Sequence, residues 1–333
     1  MKWNAPINYI RNRTRGVVFG RTRLGDIVNS FYDLYIFLKY SFTVNHLRSK
    51  KNYQAFLTKQ YHIVEKGLSL PAPRENFGKV KIEHLLRKTK QYITKFGEDH
   101  LTALIRNCLS EYLQFNPNLK KEYPLLESDL ITFIGQHIHE NVGGTKLIDR
   151  IKLKKATNID FKEFVKTRVS VRNFAASKID FKDVVDAVEI AKHAPSVCNR
   201  QAWNLHFYDD RNLIDPLLKL QAGNSGFTDS IKGLLIVTTD TSQFTKLERN
   251  QVFVDGGLFS MNLLLSLHSK GLGSCCLNTC VPFTTEIRIK KIAGILEKER
   301  LIMMIGIGYL KDEFKTAYSK KKDISEILIK HSN

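Results

Sequence analysis

A change of rhythm near residue 160 limits what this chain can fold into more than any other feature. Before it, apolar residues recur at helical spacing. In KVKIEHLLRKTKQYITKFG they fall at Val80, Ile82, Leu85, Leu86, Tyr92 and Ile93, and no alternating strand interrupts this half. After it, helical patterns are interleaved with short runs that are apolar from end to end. GLLIVTTD and LIMMIGIGYL have the composition of strands covered on both faces. Such strands need a layer on either side, so this half must build one central sheet flanked by helices. TKLIDRIKLKKATNID, basic and polar, reads as the connector between the halves. The expectation is a helical region over 1–150 and an α+β domain over 160–333, with α/β layering as the variant.

Local signals refine this outline. FKEFVKTR reads as a short helix, and in DFKDVVDAVEIAKHAP Asp180 can cap a helix that Pro195 ends. WNLHFYDD reads as a strand. DGGLFSMNLLLSLHSKG reads as a long helix closed by Gly271, apolar nearly all round and so buried on more than one side. In the first half, YHIVEKGLSLPAPRENFG puts His62, Glu65 and Lys66 on a helix expected to close at Gly67, ahead of a Pro- and Gly-marked loop.

The chain is strongly basic, at +19, and its first fifty residues hold nine basic and two acidic side chains. That excess favours anionic partners, with phosphorylated ligands ahead of nucleic acid or an acidic membrane surface. Lys and Arg are scattered rather than massed, which also suits a plain solvated surface. No run of eighteen apolar residues occurs and the start shows no apolar secretory core, so a cytoplasmic protein is expected. The five cysteines lack paired spacing and CCLNTC is not a zinc pattern, so reduced thiols and no metal are expected.

Two stretches carry candidate chemistry. In RVSVRNF, Arg168, Ser170 and Arg172 alternate, so an extended backbone turns two guanidinium forks and a hydroxyl to one side, an arrangement suited to phosphate. In HAPSVCNRQAW, Ser196, Asn199 and Gln201 supply donors and acceptors able to read the polar edge of a flat ring such as isoalloxazine. Trp203 begins the next strand and is expected to anchor the core. His193 ends a helix, where its charge suits the dipole. GLGSCC and GIGYLK are not G-x-G-x-x-G and open no dinucleotide unit.

The order R-x-S-x-R-x-F, A-P-S-x-x-N-x-Q-x-W, a long helix ending in G-L-G-S, and a late G-x-G-Y strand resembles the FMN-dependent nitroreductase family. Here these are Arg168 to Phe174, Ala194 to Trp203, Gly271 to Ser274 and Gly306 to Tyr309, within roughly 160–330. The resemblance implies a mainly antiparallel sheet flanked by helices, a homodimer with FMN between subunits, and NAD(P)H as hydride donor for a small organic substrate. It implies that Arg168, Ser170 and Arg172 hold the phosphate, and that Pro195, Ser196, Asn199 and Gln201 approach the ring, often from the partner. Leu277 and Asn278 would lie near the flavin N5, and Lys320 and Lys322 would add a phosphate contact. Two places depart from the pattern: Val169 stands where many relatives have a second basic residue, and Asn278-Thr279 where some have an acidic residue before glycine. No acid/base pair or nucleophile stands out, so no catalytic side chain is assigned. The segment around Glu65 to Gly78 is similar to nitroreductase-like proteins of bacterial surface-polysaccharide clusters, with a helical N-terminal extension. That likeness implies a second function, a non-catalytic, partner-binding flavin-fold protein in polysaccharide biosynthesis. The loop SLPAPRENFG would then cover the flavin, with His62, Glu65 and Lys66 near substrate.

Overall fold

The computed structural model describes residues 23–43, 47–135, 143–151, 158–317 and 319–331. The first half is helical: α1 (Arg23–Tyr40), α2 (Lys50–Leu68), α3 (Lys79–Phe96), α4 (His100–Phe115), a single turn α5 (Leu119–Glu122) and α6 (Pro124–Ile134). Ser49 with Asn52 and Asp99 with Thr102 form reciprocal caps that start α2 and α4. Phe56, Ile82, Leu85, Tyr92, Ile105 and Tyr112 interlock as the centre of one core. Val80, placed by spacing on the apolar face of α3, is 75% exposed, because the buried stripe runs through Ile82, Leu85, Thr89 and Tyr92 instead.

The expected stop at Gly67 is corrected: α2 continues through it to Leu68, and Ser69 caps it. The Phe77 ring lies over Gly67, where an added Cβ would sit 2.2 Å from a ring atom. That glycine is there to let an aromatic approach the helix.

The second half holds α7 (Phe161–Thr167), α8 (Phe181–Ala191), β1 (Trp203–Tyr208), α9 (Arg211–Leu220), β2 (Gly233–Asp240), α10 (Gln251–Ser269), β3 (Leu272–Leu277), α11 (Phe283–Ala293) and β4 (Glu299–Tyr309). The strands form one sheet in the order β1-β2-β4-β3, every pair antiparallel. β2 and β4 are central, and alternate residues serve opposite layers. Leu234 and Ile236 pack with Ile214, Leu217 and Ile289 of α9 and α11. Leu235 and Val237 pack with Val184, Ala187, Phe259 and Leu263 of α8 and α10. Cover on both faces accounts for the unbroken apolar runs, and the fold is α+β, an antiparallel sheet flanked by helices, with further helices ahead of it. Asp180 caps α8 by accepting from the Lys182 amide, and Gly271 closes α10 at φ 73°. Among the described residues no helix is long and apolar enough to cross a membrane.

The helical region is fastened to the sheet domain. Phe42 exchanges backbone hydrogen bonds with Phe244 and Lys246, and Asn52 Nδ2 donates to the Ser242 carbonyl at 2.6 Å.

A polar knot closes one end of the sheet. Glu299 meets His206 Nε2 at 2.9 Å and accepts from Asn204 and from the Thr238 hydroxyl. Burial pushes its carboxyl up, but these bonds outweigh burial and hold it at about 2, against 4.5 when free. The bound carboxylate therefore stabilises the fold fully above pH 4.5 and progressively less as pH falls toward 2. Glu299→Gln should cost about 2–3 kcal/mol at neutral pH and little near pH 2. Urea titrations across that range check this, and a penalty independent of pH would refute it.

Candidate functional site

The arginine arm follows α7, which Asp160 caps, and leaves it in an extended conformation at Arg168. Ser170 bridges Ser274 of β3 in parallel, and the Val171 amide donates to the Ser274 carbonyl at 2.9 Å. Val171 and Phe174 turn inward and are buried. Arg168 and Ser170 are half-buried, and Arg172 is exposed. Val171, between Ser170 and Arg172, is the buried anchor of the alternating stretch, and Phe174 anchors the segment beyond it. Burial raises the Cys276 and Cys275 thiols, and Arg168 and Arg172 respectively pull them back. The arm's two cations therefore lie beside β3. Arg172 also rests 6.0 Å from the Phe227 ring centroid. Among the described residues, no carboxylate forms a salt bridge with either guanidinium.

Two motif glycines make room for this arm. A Cβ on Gly308 would lie 2.8 Å from Phe174 Cβ, and one on Gly273 would lie 3.1 Å from Val171 Cγ2. Gly308→Ala should therefore push on the arm, costing about 1–3 kcal/mol as an overpacked core does. A lowered melting temperature with weaker retention of any phosphate ligand is expected, and an unchanged melt would count against it.

At the end of β3, Leu277 is buried and Asn278 is exposed. The Asn278 carbonyl accepts from Gln221 Nε2, and its Oδ1 accepts the Cys280 amide. The C-terminal segment passes the arm where Thr316 Oγ1 donates to the Ser170 carbonyl at 3.2 Å. Lys320 and Lys322 follow on that segment and are exposed.

The connector from Pro195 to Gln201 is more constrained than its composition suggested. Cys198, Asn199 and Gln201 all hold φ between 51° and 53°, a left-handed conformation uncommon outside glycine. Its side chains partly satisfy one another: Ser196 Oγ accepts the Gln201 amide, and Gln201 Nε2 donates to the Asn199 carbonyl and Oδ1. Pro195 and Asn199 are exposed. Trp203 stacks on Phe259 at 4.9 Å between centroids, an anchor for the core.

Residues missed in the sequence hold the connector. The fully buried Asp255 accepts the Val197 amide at 3.3 Å on each oxygen. Burial pushes that carboxyl up, and the bonds from Gln251 and Val197 offset it in part. Arg200 has a fully buried side chain, pairs with Glu248 at 2.9 Å, and donates to the Val197 and Gln243 carbonyls. Glu248 also meets Lys59 of α2 at 3.5 Å. Arg200 stood in the connector as an unremarkable charge. No sequence signal linked it to Glu248, forty-eight positions on.

The sheet separates these groups. The connector enters edge strand β1 and the arm lies on the opposite edge strand β3. Four strand spacings, from β1 through β2, β4 and β3 to the arm, put them about 19 Å apart across one protomer. The loop expected to cover the site is fastened to the end of α4: the Asn76 amide donates to Asn116 Oδ1, and Tyr112 donates to the Phe77 carbonyl. Glu65 meets His62 Nδ1 at 3.3 Å and accepts the Gly144 amide, so it ties the segment after α6 to α2.

A sequence model of the Nitroreductase family matches residues 165–224 and 220–309. An iodotyrosine deiodinase of Thermotoga neapolitana is 24% identical over 194 residues, 51% of this chain and 96% of that protein. YdgI of Bacillus subtilis, named for an NAD(P)H nitroreductase activity, is 27% identical over 198 residues, 48% of this chain and 92% of its own. A solved nitroreductase with bound FMN from Desulfitobacterium hafniense is 18% identical, covers 51% of this chain and 97% of its own, and has a TM-score of 0.41. The matched span lies within the C-terminal part of this chain, and the helices before residue 160 lie outside it.

Proposed function

We propose that the protein is an FMN-dependent oxidoreductase that draws on NAD(P)H to reduce a small organic substrate in the cytoplasm. The observation that carries this reading is the arm: two guanidinium groups that, among the described residues, form no salt bridge with a carboxylate, and a hydroxyl, alternating along an extended segment anchored on β3. That donor set fits a dianionic phosphate, with charge-assisted forks from Arg168 and Arg172. Lys320 and Lys322 lie on the segment that touches Ser170 and would add charge to the same end.

In this reading residues 160–333 form the flavin domain and residues 1–150 its helical extension. Bound FMN supplies the hydride chemistry. The chain's own groups bind and orient it. Pro195, Ser196, Asn199 and Gln201 present polar edges to the ring from a connector held rigid by Asp255 and Arg200. Leu277 and Asn278 close the far end of β3. Because connector and arm sit at opposite edges of one sheet, a second copy related by a two-fold axis would bring its connector to this arm. The reading is therefore a homodimer with two shared sites. The relatives' names cover a deiodinase and a nitroreductase, so the substrate is stated only as a small organic acceptor.

Anaerobic titration tests this directly. Purified protein should carry about one FMN per chain, and NADH or NADPH should bleach it. A protein that takes up no FMN from excess cofactor would refute the proposal. Flavin that neither nucleotide reduces would leave a binding protein, not this enzyme.

A further inference from the structure

Helix α1 carries a row of exposed apolar side chains: Leu24 at 60%, Ile27 at 51%, Phe31 at 65%, Leu34 at 49%, Tyr35 at 51% and Leu38 at 51%. Steps of three and four place them on one helical face, and no charged residue falls within the row. The other side of α1 is already fixed to the sheet domain. Ile36 is fully buried, Asn29 Oδ1 accepts the Phe283 amide, Tyr32 packs on Phe283 at 5.3 Å, and Asp33 pairs with Arg300. The helix is therefore rigidly held with its apolar row facing outward.

A second row lies beside it. On α10, Phe253, Val254, Leu258 and Met261 are between 42% and 50% exposed. Leu34, Leu38 and Phe253 line one cavity of about 430 Å³ together with Asp33, Lys246, Arg249 and Arg300, so the rows adjoin at Phe253. Ten such side chains, each exposing roughly 100 Å², make an apolar face of about 1,000 Å². The largest patch on a typical monomer is about 300–600 Å². A standard interface takes about 800 Å² from each partner.

We propose that α1 is a dimerisation arm, whose outer row packs on a second copy of this chain as an extension of the α10 face. The area suits a self-complementary interface with an apolar centre, and the charged groups at its margin, Lys39 over the Tyr35 ring and Lys246, Arg249 and Arg300 around the cavity, suit a polar rim. The proposal rests on the homodimeric reading above, and it assigns part of the helical extension to assembly.

Sedimentation of the full chain tests it, with Phe31→Glu/Leu34→Glu on α1 and Leu258→Glu/Met261→Glu on α10. The wild type should be a dimer at micromolar concentration, and each double variant should raise the dissociation constant at least about 100-fold, with helical circular dichroism retained. If only the α10 variant dissociates, the arm is overturned and the homodimer stands. A monomeric wild type overturns both. A wild type that dimerises only after residues 2–22 are removed shows that its own N-terminal segment covers the row, which also overturns the arm. Flotation with phosphatidylserine vesicles that the α1 variant abolishes, while its dimer stays intact, identifies a membrane surface instead. Should a variant fail to fold, hydrogen exchange of the wild type across a dilution series decides: α1 amides must lose protection as the dimer dissociates, and constant protection overturns the arm.

Discussion

Replacing Arg168 and Arg172 together with alanine is expected to give a folded protein that no longer retains FMN. Each guanidinium would contribute charge-assisted hydrogen bonds to the phosphate, worth about 1.5–3 kcal/mol per arginine net of desolvation. Losing both should weaken FMN binding by about 3–6 kcal/mol, roughly 10²- to 10⁴-fold in the dissociation constant. The fold should survive, because the arm is held by other groups: the Val171 amide on Ser274, and the buried Val171 and Phe174. Among the described residues, neither arginine gives up an ion pair on replacement. Lysine at both positions should give an intermediate affinity, since an ammonium keeps the charge but loses the bidentate fork. Flavin fluorescence titrations with circular dichroism as the folding control provide the measurement. Undiminished FMN affinity in the alanine variant would remove these residues from the site.

The second large effect is expected at Arg200, where a single change should damage both stability and flavin affinity. Its side chain is fully buried against Glu248, the Val197 and Gln243 carbonyls, and the Phe244 ring at 5.1 Å. Arg200→Met would leave the largely buried Glu248 with only the Thr245 amide and Lys59, a loss of up to about 3–5 kcal/mol. Burial pushes the Glu248 carboxyl up, and the Thr245 amide and Arg200 more than offset this, leaving it low. Its stabilisation is therefore present above the ordinary carboxylate range and is lost as pH falls. Adding Glu248→Gln to Arg200→Met should restore part of the stability, because the orphaned charge is then removed. Flavin affinity should stay low in the pair, since the connector's left-handed residues lose their brace. Lys59→Ala should change little, because a half-buried lysine that solvent still reaches, 3.5 Å from its carboxylate, is worth about 0–1 kcal/mol. Denaturant unfolding and FMN titration separate these terms, and a double variant no more stable than Arg200→Met would refute the buried-charge account.

Sequence signals reached the sheet domain unevenly. GLLIVTTD corresponds to β2 from Gly233 to Asp240, because a centrally buried strand needs apolar residues on both faces. The alternation of Arg168, Ser170 and Arg172 was legible because side-chain direction in an extended segment depends only on neighbouring residues. The connector was legible only in part. Ser196, Asn199 and Gln201 stood out by their polarity, yet several of their hydrogen bonds run to one another rather than outward. Asp255 was hidden in an apolar helix, where its pairing with the Val197 amide fifty-eight residues earlier leaves no local trace.

The sequence by itself determined that the first half is helical and the second interleaves helices with apolar strands, and it showed two arginines and a serine alternating along one short stretch. These follow from periods of 3.6 and 2 and from capping residues such as Asp180, interactions that span a few positions. Tertiary structure alone decided that α2 passes through Gly67 under the Phe77 ring, and that Arg200 meets Glu248 and Lys59. It also set the arm and the connector at opposite edges of one sheet. Those outcomes depend on strand order and on the docking of helices from distant parts of the chain. A linear pattern records which faces must be buried, but not which partner buries them.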